Sequence, residues 1–150
     1  MAKNTGKSAF RKIKVEDYDE DAFKEDDLSN QSEAIASEGE VQGLLSQSKN
    51  VEALKIVLSN PPVGTKDQAV KDKAFQLVMM VLTAFKASEI ESAVKQLDSS
   101  TIDVLMKYIY RGFENPSEGS SAILLTWHEK AFACGGVGSI IRVLTDRKRV

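Results

Sequence analysis

The 150-residue sequence contains 42% hydrophobic and 28% charged residues, which is typical of one globular domain that buries a core without disulfides or metal. Its net charge of −2 hides an asymmetry: residues 1–14 hold five basic groups and no acid, whereas residues 15–40 hold eleven acids and one lysine. The longest apolar run, LVMMVL at 77–82, is far shorter than the roughly 20 residues of a membrane span, and one cysteine cannot form an internal disulfide. We therefore expect a cytoplasmic protein without a membrane segment.

The first 36 residues show charge but no helical or strand periodicity. Blocks of like charge repel one another and keep a chain extended. We predict an extended N-terminal tail over 1–36 and a folded core over 37–150. Three aromatic residues interrupt the charge of the tail, Phe10, Tyr18 and Phe23, and a purely solvated linker has little use for them.

The predicted core begins with clear helix signals. Ser37-Glu38-Gly39-Glu40 has the capping-box pattern and opens a short helix. A second helix, VEALKIVLS, stops at Asn60-Pro61-Pro62, because proline cannot continue a helix interior. A third runs from about 65 to 86. Its second half, QLVMMVLTAF, is apolar on every face, which predicts a buried helix at the centre of the fold.

Four further helices complete the pattern. Ser88-Glu89-Ile90-Glu91 is another capping-box pattern and opens a short fourth helix. The fifth, TIDVLMKYIYRGF, places Asp103, Lys107 and Arg111 at i, i+4 spacing, which predicts an ion-pair ladder along it. The sixth, SSAILLTWHEKAFA, turns at Gly135-Gly136, and GSIIRVLTD forms the last. Strand-type alternation is missing, so the predicted class is all-α: about seven helices in an irregular αα-superhelix.

The sequence repeats weakly at a shift of 51 residues. Ser37-Glu38 falls on Ser88-Glu89, and Val51-Glu52-Ala53-Leu54 falls on Ile102-Asp103-Val104-Leu105. This pattern favours a duplicated three-helix unit, and chance matching within a helical sequence is the alternative.

Catalysis has little support in the sequence. The single histidine, His128, stands six residues from Cys134, nearly two helical turns away, so the two do not share a face within reach. We interpret His128 as a packing or hydrogen-bonding residue beside Trp127, and Cys134 as a small buried apolar residue. A small hydrolase built on His128 is a distant alternative.

Metal, phosphate and nucleic-acid sites have equally little support. DYDEDAFKEDD lacks the glycine and terminal glutamate of a calcium loop, and Gly135-Gly136-Val137-Gly138 lacks the strand and lysine of a phosphate loop. The acids of residues 15–40 would repel a polyanion. We expect no enzyme activity, no cofactor, no metal and no nucleic-acid partner.

Three stretches resemble a known family: FRKIKVEDYDEDAF, NPPVGTKDQAVKDKA and DVLMKYIYRGFENPSEGSSAILLTWHEKAFACGGVGSIIRVL. On these residues the chain closely resembles the sixteen-kilodalton subunit family (subunit 5) of the actin-related protein 2/3 complex. That seven-subunit assembly nucleates branched actin filaments. The resemblance covers nearly the whole chain and implies a non-catalytic scaffold subunit with an all-helical core.

The resemblance also implies a hetero-oligomer with particular partners. In this family the core docks mainly on the twenty-kilodalton subunit, with further contacts to the forty-kilodalton β-propeller subunit. The N-terminal segment reaches an actin-related subunit and helps to tether it, and the chain meets the actin filament through the complex. The implied location is the cytoplasm, in the actin cytoskeleton and cell projections. A free helical adaptor with unrelated partners is the alternative function.

We expect two sets of interface residues, because aromatic and arginine side chains most often supply the binding energy of an interface. In the tail they are Phe10, Arg11, Lys12, Tyr18 and Phe23. In the core they are Lys107, Tyr108, Tyr110, Arg111, His128 and Arg142. Of the neighbouring apolar residues, we expect Phe113, Trp127 and Ile141 inside the core.

Overall fold

The structure is a computed structural model that describes residues 37–117 and 119–150. These residues form six helices: α1 Glu38–Ser46, α2 Asn50–Ser59, α3 Gln68–Ala84, α4 Ala87–Val94, α5 Ser99–Glu114 and α6 Ser120–Thr145. No strand occurs among them, so the predicted all-α class is confirmed. The predicted tail, 1–36, lies outside the described residues, and its division from the core stays a prediction.

Short polar side chains start three of the helices. Ser37 accepts a hydrogen bond from the Glu40 N–H at 3.2 Å and caps α1, as its sequence pattern predicts. The carboxylates of Asp67 and Asp98 do the same for α3 and α5. Each cap satisfies an amide that has no partner within its helix.

The second predicted capping box is displaced by two residues. α4 starts at Ala87, and the Glu89 carboxylate accepts from the Lys86 N–H at 3.3 Å. Ser88 therefore lies in the first turn of α4 and does not cap the helix. The Glu89 carboxylate, which accepts from the Lys86 N–H, belongs to a capping box that begins at Lys86.

The helices pack as two groups of three. α1, α2 and α3 contact one another, and α6 contacts both α4 and α5. The groups meet where α2 packs on α5 and α3 packs on α6. Two of the three corresponding pairs of helices therefore stack, as in a superhelix of repeated units. The helix starts have a similar spacing, since α1 and α4 begin at 38 and 87, α2 and α5 at 50 and 99, and α3 and α6 at 68 and 120. A duplicated sequence stays a prediction.

One apolar core runs through both groups, and Trp127 of α6 is a central part of it. Trp127 is fully buried, as expected, and its indole N–H donates to the main-chain oxygen of Leu82 at 3.2 Å. Its ring meets Phe85 edge-on at 5.1 Å between centroids. Leu82 lies in the last turn of α3, where carbonyl groups lack helical partners. Trp127 therefore satisfies one of these carbonyls while it joins α6 to α3.

α3 occupies a central place but is less enclosed than predicted. It contacts α1, α2 and α6, and Leu77, Val78 and Val81 are buried. On its other face Met80 is 37% exposed and Thr83 is exposed. The expectation that this half of the helix is buried on every side is wrong for that face, because no described helix covers it.

The chain reverses inside α6 at Gly136, whose φ of 65° and ψ of −172° interrupt the helix. Before the reversal, 120–135 runs antiparallel to α5, with Gly112 close to Leu124 and Ile102 close to Gly135. The predicted turn at Gly135-Gly136 is therefore confirmed, and 137–145 is the predicted last helix.

After the reversal, residues 142–150 run beside α5 in the same direction as that helix. Three contacts join them, each between residues 39 apart: Arg142 with Asp103, Asp146 with Lys107, and Val150 with Arg111. A constant separation means that the two segments are parallel. α5 is therefore flanked by residues 120–135 and 142–150, which run in opposite directions.

Gly136→Ala should lower the free energy of unfolding by about 1–3 kcal/mol, because the backbone conformation at 136 is open essentially to glycine alone. A Cβ at 136 would meet nothing within 4 Å, so backbone strain and not a clash is the cause. Gly43→Ala, inside α1, is the matched control. It also adds a methyl group in open space, and it should stabilise by up to about 1 kcal/mol. Urea unfolding followed by far-UV circular dichroism measures both, and equal effects would contradict this explanation.

Candidate docking surface

The predicted tail interface lies outside the described residues. It comprises Phe10, Arg11, Lys12, Tyr18 and Phe23, which stay predicted contact residues. The predicted core interface lies on α5 and α6, so its geometry can be described residue by residue.

Arg111 holds several segments of the chain together. One terminal nitrogen donates to the main-chain oxygens of Lys71 at 2.8 Å and Val150 at 3.1 Å. The other donates to the Asp72 carboxylate, and the guanidinium lies over the Phe75 ring at 5.2 Å from its centroid. Its side chain is only 11% exposed. Arg111 therefore has a structural role inside the chain, and its role at an interface stays a prediction.

The charged stripe of α5 forms ion pairs, but not within that helix. Arg142 donates to both carboxylate oxygens of Asp103, at 2.6 and 2.8 Å, and Lys107 donates to Asp146 at 2.5 Å. The hydrogen bond from Lys107 lowers the pKa of Asp146, and the one to Asp103 raises the pKa of Arg142. The expected ladder within α5 is therefore wrong, because closer partners come from other segments, mainly the one that runs beside the helix.

Tyr108 lies in the core, which corrects its assignment to an interface. Its side chain faces inward from α5 and is 1% exposed. Its hydroxyl has no hydrogen-bond partner among the described residues. Burial raises the pKa of Tyr108 to about 12, against a weaker opposite effect of the Arg111 charge.

Tyr110 and His128 are the two predicted interface residues that the structure brings together near the surface. The Tyr110 hydroxyl oxygen and His128 Nε2 are 3.4 Å apart. The rings of Phe113 and Phe132 lie 6.1 and 6.4 Å from the His128 ring. We call these four residues the aromatic cluster. Phe113 is half-buried and Phe132 is 39% exposed, so the cluster presents apolar rings to solvent between α5 and α6.

A second apolar surface lies after the reversal. Val137, Ile141 and Leu144 are 59%, 52% and 70% exposed, and their i, i+4, i+7 spacing puts them on one helix face. We call these three residues the α6 ridge. The exposure of Ile141 corrects its expected place in the core, because Ile140 and Val143 occupy the inward face instead. Val137 and Leu144 were not predicted, and the helical spacing is the signal that could have found them.

A groove of about 940 Å³ borders the ridge, between α3, α5 and residues 143–150. Leu144 lines its edge, and Phe75, Tyr110 and Phe113 contribute aromatic walls. Its charged lining residues are Lys71, Asp72, Lys107, Arg111, Glu114, Asp146, Lys148 and Arg149. Most of these charges pair within the chain, whereas Lys148 makes no ion pair in the described residues.

Within 37–117 and 119–150, no three histidine, cysteine or acidic side chains are placed to hold a metal ion. His128 contacts aromatic rings and a phenol, and Cys134 is exposed. The expectation of a buried thiol is therefore wrong, because Cys134 ends an exposed run, 132–134, on the outer side of α6. No helix of these ranges is long and apolar enough to cross a membrane.

The buried Tyr108 should make stability fall at alkaline pH. Its folded pKa, about 12, exceeds the ordinary 10.0, so its stabilising effect is complete below pH 10 and is lost as pH rises towards 12. Across this window the unfolding free energy should fall by at most about 1.4 kcal/mol per pH unit relative to Tyr108→Phe. Denaturant unfolding of both proteins at several pH values measures the difference. Parallel stability curves would contradict the burial of this phenol.

Comparison with known proteins supports the resemblance found in the sequence. The family model described as "ARP2/3 complex 16 kDa subunit (p16-Arc)" matches residues 9–150. The chain is 53% identical to the Xenopus laevis protein named "Actin-related protein 2/3 complex subunit 5-C", over 150 residues and the full length of both. It is 53% identical to the Homo sapiens "Actin-related protein 2/3 complex subunit 5-like protein", over 154 aligned residues and again both full lengths.

A more distant relative shows how far the similarity extends. The Dictyostelium discoideum protein named "Actin-related protein 2/3 complex subunit 5" is 37% identical over 124 residues, which cover 83% of this chain and 88% of that protein. The family match begins at residue 9 and therefore includes the predicted tail contacts as well as the six helices. The chain belongs to the ARP2/3 complex 16 kDa subunit (p16-Arc) family.

Proposed function

We propose that this chain is a non-catalytic scaffold subunit of the actin-related protein 2/3 complex and contributes in that way to the nucleation of branched actin filaments. The observation that carries the proposal is the family match over residues 9–150. The surroundings of His128 agree with it, since its ring packs among aromatic side chains and its Nε2 meets a phenol. The proposed location is the cytoplasm, in the actin cytoskeleton and cell projections.

The core docks mainly on the twenty-kilodalton subunit, with further contacts to the forty-kilodalton β-propeller subunit. The aromatic cluster supports this part of the proposal, because it presents apolar rings beside groups that can donate or accept hydrogen bonds. Aromatic side chains that become buried at an interface often dominate its binding energy. The predicted core contacts that stay proposed are Lys107, Tyr110, Arg111, His128 and Arg142, and Phe132 is added because its ring is exposed.

The tail tethers a neighbouring actin-related subunit through Phe10, Arg11, Lys12, Tyr18 and Phe23. Its composition supports this role, since acidic residues can steer an encounter while a few aromatic residues anchor it. A segment that orders on binding has low affinity per unit of interface area. Attachment to a docked core offsets this cost, because it holds the tail near its target at an effective concentration on the order of millimolar.

Deleting residues 1–30 should leave the core in the complex but weaken retention of the actin-related subunit and slow nucleation. Tyr18→Ala with Phe23→Ala should reproduce much of this loss, about tenfold in retention, because two anchors are removed. Purification of the co-expressed seven-subunit complex and pyrene–actin assays measure both effects. Asp17→Asn with Asp19→Asn is the matched control for charge. If this control alone weakened retention, the acids and not the aromatic residues would carry the contact.

Phe132→Ser should weaken binding of the full chain to the twenty-kilodalton subunit by about tenfold, since it removes an exposed ring from the aromatic cluster. Met80→Ser is the matched control, because Met80 is 37% exposed and Phe132 is 39% exposed, on different helices. Isothermal titration calorimetry measures both affinities. Equal affinities for the two variants would contradict docking at the cluster.

His128→Ala should not slow nucleation once the variant complex holds all seven subunits, because we propose no chemical role for this side chain. Pyrene–actin assays of the purified variant complex measure the rate. Slower nucleation by a fully assembled variant complex would argue for a chemical role.

A further inference from the structure

The last helical segment of the chain is apolar on two sides, but the described residues cover only one of them. Ile140 and Val143 pack against the core, whereas Val137, Ile141 and Leu144 form the exposed α6 ridge. Apolar side chains grouped in one exposed patch often mark a site of interaction. The described residues leave the ridge uncovered, so a partner from outside them can pack on it.

The shape of this surface suits another helix. Side chains at i, i+4 and i+7 form a straight ridge, and such ridges pack into the grooves between side chains of a second helix. The groove of about 940 Å³ lies directly beside Leu144, which gives the second helix a concave seat next to the ridge.

The charges at the end of the ridge favour an acidic occupant. Arg142, Lys107, Arg111 and Arg149 each pair with a carboxylate of this chain. Arg147 and Lys148 lie three and four residues after Leu144 and are exposed, and Lys148 also lines the groove. Their side chains make no ion pair within residues 37–117 and 119–150, so they can meet acidic side chains of a partner without breaking an ion pair among those residues.

We infer that the α6 ridge and its groove receive an amphipathic helix of another subunit, which packs its apolar face on Val137, Ile141 and Leu144 and places acidic side chains at Arg147 and Lys148. This inference rests on the proposed function, because it takes the occupant from the same complex. It adds the type of partner element and the residues that meet it.

The first test is Ile141→Asp with Leu144→Asp in the full chain, co-expressed with the other six subunits. Because both side chains are exposed, the free variant should remain folded, which far-UV circular dichroism checks. Its retention in the purified complex should fall about tenfold or more, while Met80→Asp, an exposed apolar position on α3, should be retained like the parent. Normal retention of the ridge variant would overturn the inference.

The second test addresses charge. Arg147→Glu with Lys148→Glu should weaken incorporation several-fold, because like charges would then face each other. Rising salt should weaken incorporation of the parent chain more than that of the variant, because salt screens the attraction that only the parent has. Lys55→Glu with Lys73→Glu, at two exposed lysines of α2 and α3, is the control with the same change in net charge. Equal effects of the two charge reversals would overturn the acidic character of the occupant.

The third test identifies the occupant. A photo-crosslinking amino acid at position 144 of the assembled complex should join to a helical segment of another subunit that carries acidic residues. A crosslink to a second copy of this chain, to a non-helical segment, or to nothing would overturn the inference. Failure of the parent chain to enter the complex would instead contradict the proposed function, so the two failures are distinguishable.

Discussion

The reversal of the chain at Gly136 is the constraint on which the arrangement around α5 depends. Its positive φ and extended ψ send residues 137–150 back beside α5, after 120–135 has crossed the same helix in the opposite direction. Asp103, Lys107 and Arg111 can then each meet a group 39 residues further along the chain. Were α6 to continue straight, these contacts would be lost and the inward residues of the last segment would face water. One glycine thus places the last segment of the chain against α5.

Features that depend on local signals could be predicted from the sequence. The cap at Ser37 and the turn at Gly135-Gly136 follow from residue types whose conformational preferences act over a few positions. The partners of the α5 stripe could not be predicted in this way. The i, i+4 spacing correctly shows that Asp103, Lys107 and Arg111 share a face of α5. It cannot show which distant residues contact that face, because they approach it only after the chain has reversed.

Burial was the least predictable property of the candidate site. Periodicity shows which residues share a face of a helix, but not which of two apolar faces points inward. Ile141 was expected inside and lies outside, because Ile140 and Val143 take the inward positions. Tyr108 was expected at an interface and lies inside, because its position on α5 faces the core regardless of its hydroxyl. The proposed partners of the tail, by contrast, come from the family resemblance and have no basis in periodicity.

Trp127 is the single tryptophan of the chain, and it lies where α6 meets the end of α3. That contact joins the two groups of three helices, so the emission of this indole reports on the junction between them. Circular dichroism averages over both groups and cannot separate loss of the junction from melting of the helices. The chain therefore carries a natural fluorophore for the cooperativity of its two halves.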